Sequence, residues 1–511
     1  MLPKLTEFKS RLQQLSLSAP NVVALRDQDQ EITYKMLWSE IQARQTQLTQ
    51  LSTRMVALFL ENSVDLLLWD LALLFADIPT ILLPPFFTHS QLQYCLEISQ
   101  ADLIITQSDF ILEGQASYEK QQGYWRLKAP LHIALPETTQ KLTFTSGTTG
   151  QPKAVCLGSE QILTVAQSLC HAIASSQPET HLALMPLAVL LENIGCYAIL
   201  MRGGSIQLAK AAELGLRGAS SVDIQTFAKF IQSSQPQSLI LVPQFLALLV
   251  EAVSTKLIRA ECFRFIAVGG GHVNPELLKK ANKLQLPVYQ GYGLSECASV
   301  VALNTPEANR AGSVGKPLPH VQVKIAEDGE ILVAHNRCLG YLNHPQMPDP
   351  YWPTGDLGHL DQDGFLYIRG RKKHQFITSF GRNVNPEWVE ALLSQTGVVG
   401  QAFVYGEALP ENYALLWPVN TAITNEQIDQ IIQHANHQLP DYAQVKHWVR
   451  LTEPFSPNNQ LATANGRLRR DEIARRFQHV FLLKGIYYAI FSTTSKCNRS
   501  GKTETFFNLP D

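Results

Sequence analysis

The sequence predicts an α/β chain of at least two domains, and three observations carry that expectation. Between Met55 and Thr106, apolar runs alternate with helical periods, the pattern of parallel strands covered by helices. The 511 residues exceed the size at which a single core stops growing. An apolar content of 45% with 17% charged residues describes a chain that buries a large core.

A formal net charge of −2 gives no reason to expect a nucleic-acid surface. The eight cysteines stand singly, with no Cys-x-x-Cys pair, so neither a zinc site nor a disulfide framework is indicated. The N-terminus lacks a long apolar run of the secretory kind. A reducing cytoplasm is the expected compartment.

Taken in order, Val22 to Leu25 is a short strand, Asp27-Gln28-Asp29 a turn, and Ile32-Thr33-Tyr34 the entry to an amphipathic helix. Met55 to Leu60, Thr80 to Leu83 and Leu103 to Thr106 are strands, with helices near 64–76 and 90–98 between them. Leu66 to Pro85 is the most apolar stretch. A membrane span of about 20 residues would tolerate its Asp70 and Asp77 poorly, so it reads as core. Lys141 to Phe144 is a further strand, and Glu160 to Ser175 has helical spacing. Pro186-Leu187 and Val189 follow in an apolar segment; Gly203-Gly204 and Arg217 to Ser221 are loop signals. Leu239 to Val242 is a buried strand, and Pro243 opens the next helix.

Four strings carry chemistry. In Thr145-Ser146-Gly147-Thr148-Thr149-Gly150-Gln151-Pro152-Lys153, glycines free the backbone amides, hydroxyls add donors and the lysine adds charge. That composition suits a polyphosphate cradle and equally a solvated turn, and it lacks Walker A spacing. A strand from Phe263 to Val268 runs into Gly269-Gly270-Gly271, where a bare backbone allows a flat ligand to approach. Tyr292-Gly293-Leu294-Ser295-Glu296 gathers an aromatic face, a hydroxyl and a carboxylate at a strand end. Thr354-Gly355-Asp356 reads as a turn holding a carboxylate at a strand end, suited to ribose hydroxyls. Asp361 to Tyr367 then supplies an Asp-Gly turn between strands.

Together these strings, in this order, resemble the adenylate-forming (AMP-binding) superfamily, most closely its fatty and long-chain acyl-CoA synthetases, over roughly residues 20–475. The resemblance implies a large N-terminal domain of layered α/β subdomains with a β-rich end, at 1–371. It also implies a small mobile α+β domain at 372–479, as in acetyl-CoA synthetase, and leaves 480–511 as an extension of unknown role. Thr145 to Gly150 and Lys153 would hold the phosphates, Gly269 to Gly271 and Tyr292-Gly293 the adenine, Ser295 a phosphate, and Glu296 the magnesium. Asp356 would take the ribose, Arg371 would contact ribose or phosphate, Lys373 would be the hinge, and Val189 would line the acyl pocket where the family often carries a histidine. Phe380-Gly381 resembles the segment brought in for thioester formation, with Gly381 admitting a thiol. His374 replaces an acidic residue and is expected to be solvated.

The terminal motif departs from the pattern. Thr463-Ala464-Asn465-Gly466-Arg467 carries arginine where the family has its adenylation lysine. Arginine keeps the charge on a longer, planar head, and the exchange is not conservative at a geometric site. Arg467 does the work, a neighbour does it, or adenylation is impaired. Beyond Gln478 the resemblance is no longer visible. Val480 to Phe491 is apolar but too short to span a bilayer, which leaves peripheral membrane contact open.

The implied activity is ATP- and magnesium-dependent activation of a fatty or other apolar acid, followed by transfer to coenzyme A. An acyl carrier protein or an amine is the alternative acceptor, and a nucleotide-binding homologue without catalysis is the alternative class.

Overall fold

The computed structural model describes residues 3–108, 117–121, 123–131, 133–145, 153–217, 221–271, 273, 275–343, 349–379, 383–463 and 466–481. The loop residues Ser146, Gly147, Thr148, Thr149 and Gly150, and Gly381, lie outside them.

Two large sheets enclose a layer of helices. In the first, the strands Thr80–Leu82, Val56–Phe59 and Leu103–Thr106 run parallel with Thr139–Thr145, as the alternating pattern predicts. Its margins are antiparallel: Thr139–Thr145 pairs with Lys153–Gly158, with Thr145 opposite Lys153. In the second sheet, Val288–Tyr292, Phe265–Val268, Ser238–Leu241, Thr180–Ala183, Ser205–Leu208 and Val23–Arg26 are parallel neighbours.

The helix Val64–Phe75 lies in the shared core with every residue but Asp65 buried, which accounts for its even apolarity. Ser63 caps its start by accepting from the Leu66 amide. A capping box at Thr88 and Gln91 starts the helix His89–Ser99 on the outer face of the first sheet.

This core contains a charge pair. Lys141, on the Thr139–Thr145 strand, donates to Asp70 at 2.8 Å and to Tyr197 at 3.1 Å, while Asn193 Nδ2 donates to Asp70 at 2.8 Å. Tyr197 also donates to Asp70. Each ionic oxygen thus has a partner, without which burial would be prohibitive.

The β-rich end is an antiparallel sheet of Val321–Ile325, Glu330–His335, Tyr351–Leu360 and Leu366–Arg371. The small domain is built on a sheet of Val399–Tyr405, Asn412–Pro418 and Val445–Arg450, covered by the helices Pro386–Ser394 and Asn425–His437. Val480 and Phe481, assigned by sequence to the terminal extension, are buried in this domain; Phe481 stacks on Tyr405 with ring centres 4.6 Å apart. Among the described residues no helix is long and apolar enough to cross a membrane.

Candidate active site

The ends of both large sheets and the β-rich sheet meet through two groups of side-chain contacts, joined by the backbone from Tyr292 to Glu296. Lys153 opens the strand after the hydroxyl-rich string, and its ammonium stands 5.6 Å from the centre of the Tyr341 ring. The Tyr341 hydroxyl donates to Glu296 Oε1 at 2.8 Å. Glu296 lies in the one-turn helix Ser295–Cys297 that ends the 288–296 segment, and its backbone carbonyl accepts from the Cys338 amide. No described residue donates to the second carboxylate oxygen, which leaves a hard anionic ligand suited to a magnesium ion.

Tyr292 ends the strand Val288–Tyr292 and donates through its hydroxyl to Asp356 Oδ2 at 2.6 Å. The Arg371 guanidinium pairs with Asp356 Oδ1 at 2.6 Å, and the two residues are cross-strand partners. Asp356 is almost fully buried. Burial pushes its carboxyl above the ordinary aspartate range, against the opposing pull of Arg371 and Tyr292. Burial and then the nearby Asp356 charge hold the Tyr292 phenol well above its usual value, so it remains a donor.

One expectation changes here. Thr354-Gly355-Asp356 does not end a strand; it lies inside Tyr351–Leu360. Between Pro353 and Leu357 this strand carries more residues than its partner between Leu332 and Glu330, a bulge with Gly355 at φ +71°. The Gly355 amide, out of the ladder, is taken by Glu330 Oε1 at 2.9 Å. Turn composition is shared by turns and bulges, so the sequence pattern alone could not separate them.

Gly269 to Gly271 follow the strand Phe265–Val268, and a Cβ at Gly269 would press on the Gly291 carbonyl at 3.3 Å. A side chain at 269 would make the Gly291 carbonyl give by a few tenths of an ångström. Onto this edge the small domain lowers a hairpin. The Thr463 amide donates to the Arg467 carbonyl at 2.8 Å, the Arg467 amide donates to Thr463 Oγ1 at 3.1 Å, Gly466 takes φ +74°, and Arg467 Nη2 donates to the Gly270 carbonyl at 3.0 Å. Solvent reaches the Arg467 side chain, yet surrounding protein, and then the neighbouring Arg371 charge, lower its pKa from the usual guanidinium value. It remains a cation at any physiological pH.

His374 is the second correction. It is half-buried, with Nδ1 2.6 Å from Glu387 Oε1, and the other Glu387 oxygen accepts from the Arg371 amide at 2.8 Å. Burial raises the Glu387 carboxyl, but the bond and charge of His374 outweigh it and leave the pKa lowered. Lys373 beside it is part-exposed, with its pKa lowered by burial and then by Arg371.

Val189 is half-buried at the start of the helix Leu190–Arg202. The segment before it is fixed by Asn62, which donates to the Met185 carbonyl at 2.8 Å and accepts from the Leu187 amide at 2.9 Å. Glu192 accepts from the Met185 amide at 3.0 Å. Asn62 and Tyr341 escape sequence reading because both act through chain segments distant in sequence. Burial pushes the Cys156 thiol to about 12 and the Cys338 thiol to about 11, so neither supplies a nucleophile at neutral pH.

Residues 13–342 match the AMP-binding enzyme family, and residues 373–487 match the AMP-binding enzyme C-terminal domain, a match that runs beyond Gln478. A 2–succinylbenzoate–CoA ligase of Enterococcus faecalis is 27% identical over 497 residues, covering 91% of this chain and 98% of that one. The o-succinylbenzoate CoA synthetase of Bacillus subtilis, solved with its acyl-adenylate, superposes with a TM-score of 0.73 at 23% identity, covering 91% and 97%. An anthranilate CoA ligase bound to anthranoyl-AMP gives a TM-score of 0.77 at 18% identity, covering 92% and 96%. The chain belongs to the AMP-binding enzyme family.

Proposed function

We propose that this protein is an acid–thiol ligase that activates a carboxylic acid with ATP and passes the acyl group to coenzyme A. The observation that carries the reading is the contact of Arg467 with the Gly270 carbonyl, which brings a cation of the small domain to the glycine edge. The substrate carboxylate attacks the α-phosphorus of ATP, a P–O bond forms to the acid, and the bond to pyrophosphate breaks. Thr145, Ser146, Thr148, Thr149 and Lys153 hold the β- and γ-phosphates. Asp356 accepts the ribose hydroxyls with Arg371 beside it, and Tyr292 lies against the adenine. Arg467 spans the attacking carboxylate and the α-phosphate, where negative charge grows in the transition state. A magnesium ion on the triphosphate, with Glu296 as its protein ligand, would offset the remaining charge. The small domain then turns about Lys373 and brings the Gly381 segment to the thiol, whose sulfur bonds the acyl carbon as the bond to AMP breaks and AMP leaves.

For the acid, the curated relative points away from a fatty chain and towards an aromatic one of the 2-succinylbenzoate kind. An apolar wall at Val189 accepts a ring as well as a fatty chain. Acid-dependent exchange of labelled pyrophosphate into ATP tests the reading across 2-succinylbenzoate, anthranilate, benzoate and fatty acids. Exchange is expected with an aromatic acid and should fall at least tenfold in Lys153→Ala. No exchange with any acid, from protein that binds ATP, would return the chain to the class of binding proteins. Thioester formation with coenzyme A, measured against an amine acceptor, identifies the second half-reaction.

Asp356 adds a pH dependence. It accepts hydroxyl protons as a carboxylate, and its pKa is raised, so ATP affinity should weaken as pH falls through that raised value. The loss begins at a higher pH than an exposed aspartate would give. ATP titrations between about pH 4 and 7 should show this limb in the wild type and lose it in Asp356→Asn.

A further inference from the structure

Tyr341 touches both the lysine that follows the phosphate loop and the proposed metal carboxylate, and neither the motifs nor the family match assigns it a task. It lies on the two-residue strand Gly340–Tyr341, paired antiparallel to Lys153–Gly158 with Tyr341 opposite Val155. Bonds from the Leu339 amide to the Cys156 carbonyl and from the Leu342 amide to the Ala154 carbonyl, both 2.9 Å, fix the short strand at either end. The Trp352 ring packs edge-on against Tyr341 at 5.8 Å. The ring is therefore clamped, and its two functional contacts are made from a rigid base.

We propose that Tyr341 is a positioning residue for ATP activation: its hydroxyl fixes the rotation of the Glu296 carboxylate, and its ring face steadies the Lys153 ammonium. The inference rests on the ligase reading above. A hydrogen bond to Oε1 leaves Oε2 as the oxygen turned to the metal, the usual work of a group one step removed from an ion. The ring's negative face lies under a cation that otherwise sits on an exposed side chain free to wander. Burial, then the Glu296 charge, keep the phenol protonated, so it serves as a donor throughout the working pH range.

The two contacts separate by substitution. Tyr341→Phe keeps the ring and removes the hydroxyl; Tyr341→Leu removes both. The test is calorimetric titration of ATP, with and without magnesium, into the full chain in the absence of acid. Tyr341→Phe should bind metal-free ATP as the wild type does, while the tightening produced by magnesium falls roughly tenfold. Tyr341→Leu should show the same loss and bind metal-free ATP about threefold more weakly. In a Glu296→Gln background, Tyr341→Phe should change nothing further. An intact magnesium effect in Tyr341→Phe would overturn the proposal. So would a parallel loss of metal-free ATP binding and thermal stability in that variant, which marks a merely structural role. Wild-type protein that binds no ATP would remove the ligase reading itself, a result distinct from either.

Discussion

Arg467→Ala is expected to lower acid-dependent pyrophosphate exchange by about two to three orders of magnitude, the range for removing one preorganised donor from a developing oxyanion. On the proposed reading ATP binding should change by no more than a few-fold, because Asp356 and Arg371 belong to the large domain and keep their pairing. Arg467→Lys separates charge from shape. A lysine restores the charge but is too compact to repeat the planar reach to the Gly270 carbonyl at 3.0 Å, so exchange should return to within about tenfold of the wild type. Exchange by the alanine variant at more than a tenth of the wild-type rate would assign the task to another cation, with Lys373 the first to examine. Equal losses of exchange and ATP binding would mean that Arg467 serves docking of the small domain rather than chemistry.

Lys141→Met should destabilise the large domain by about 3–5 kcal/mol. The substitution leaves the Asp70 carboxylate between two apolar layers with only Asn193 and Tyr197 to answer it. Lys141 and Asp70 are both almost wholly excluded from water, so solvent cannot take over the lost role. The paired change Lys141→Met with Asp70→Leu removes both charges and should recover part of the loss, since a buried pair contributes less than the penalty of breaking it. Urea unfolding followed by intrinsic fluorescence reads the large domain, and a two-step transition separates it from the small one. A midpoint unmoved by Lys141→Met would show that the carboxyl takes up a proton at little cost.

Much of the fold and part of the site were legible in the sequence, for a physical reason. Phosphate, ribose and metal recognition need hydroxyls, glycines and carboxylates close together on strand ends, and such groups cannot be scattered without losing their geometry. Tyr292, Glu296, Asp356 and Arg371 therefore appear in short strings that the structure brings into contact. What could not be read depends on pairing across the fold. Tyr341 sits on a strand too short to show a period, and its value comes from a partner strand far away in the chain. His374 reads as one more exposed basic residue until the helix Pro386–Ser394 brings Glu387 beside it. Lys141 looked like the polar start of an apolar strand, and only the neighbouring helices reveal it as a buried ion. The bulge at Gly355 was misread because its residues are those of a turn.

The contact between Arg467 and Gly270 joins positions 197 residues apart. The contact needs the small domain to be folded and seated on the large one, and domains fold as units, so it belongs to a late stage of folding. On the proposed reading the groups for phosphate and ribose all lie earlier in the chain, and nucleotide binding can begin to mature before the reaction becomes possible. During refolding, ATP binding should therefore recover ahead of catalysis, with the interval between them timing the arrival of the small domain.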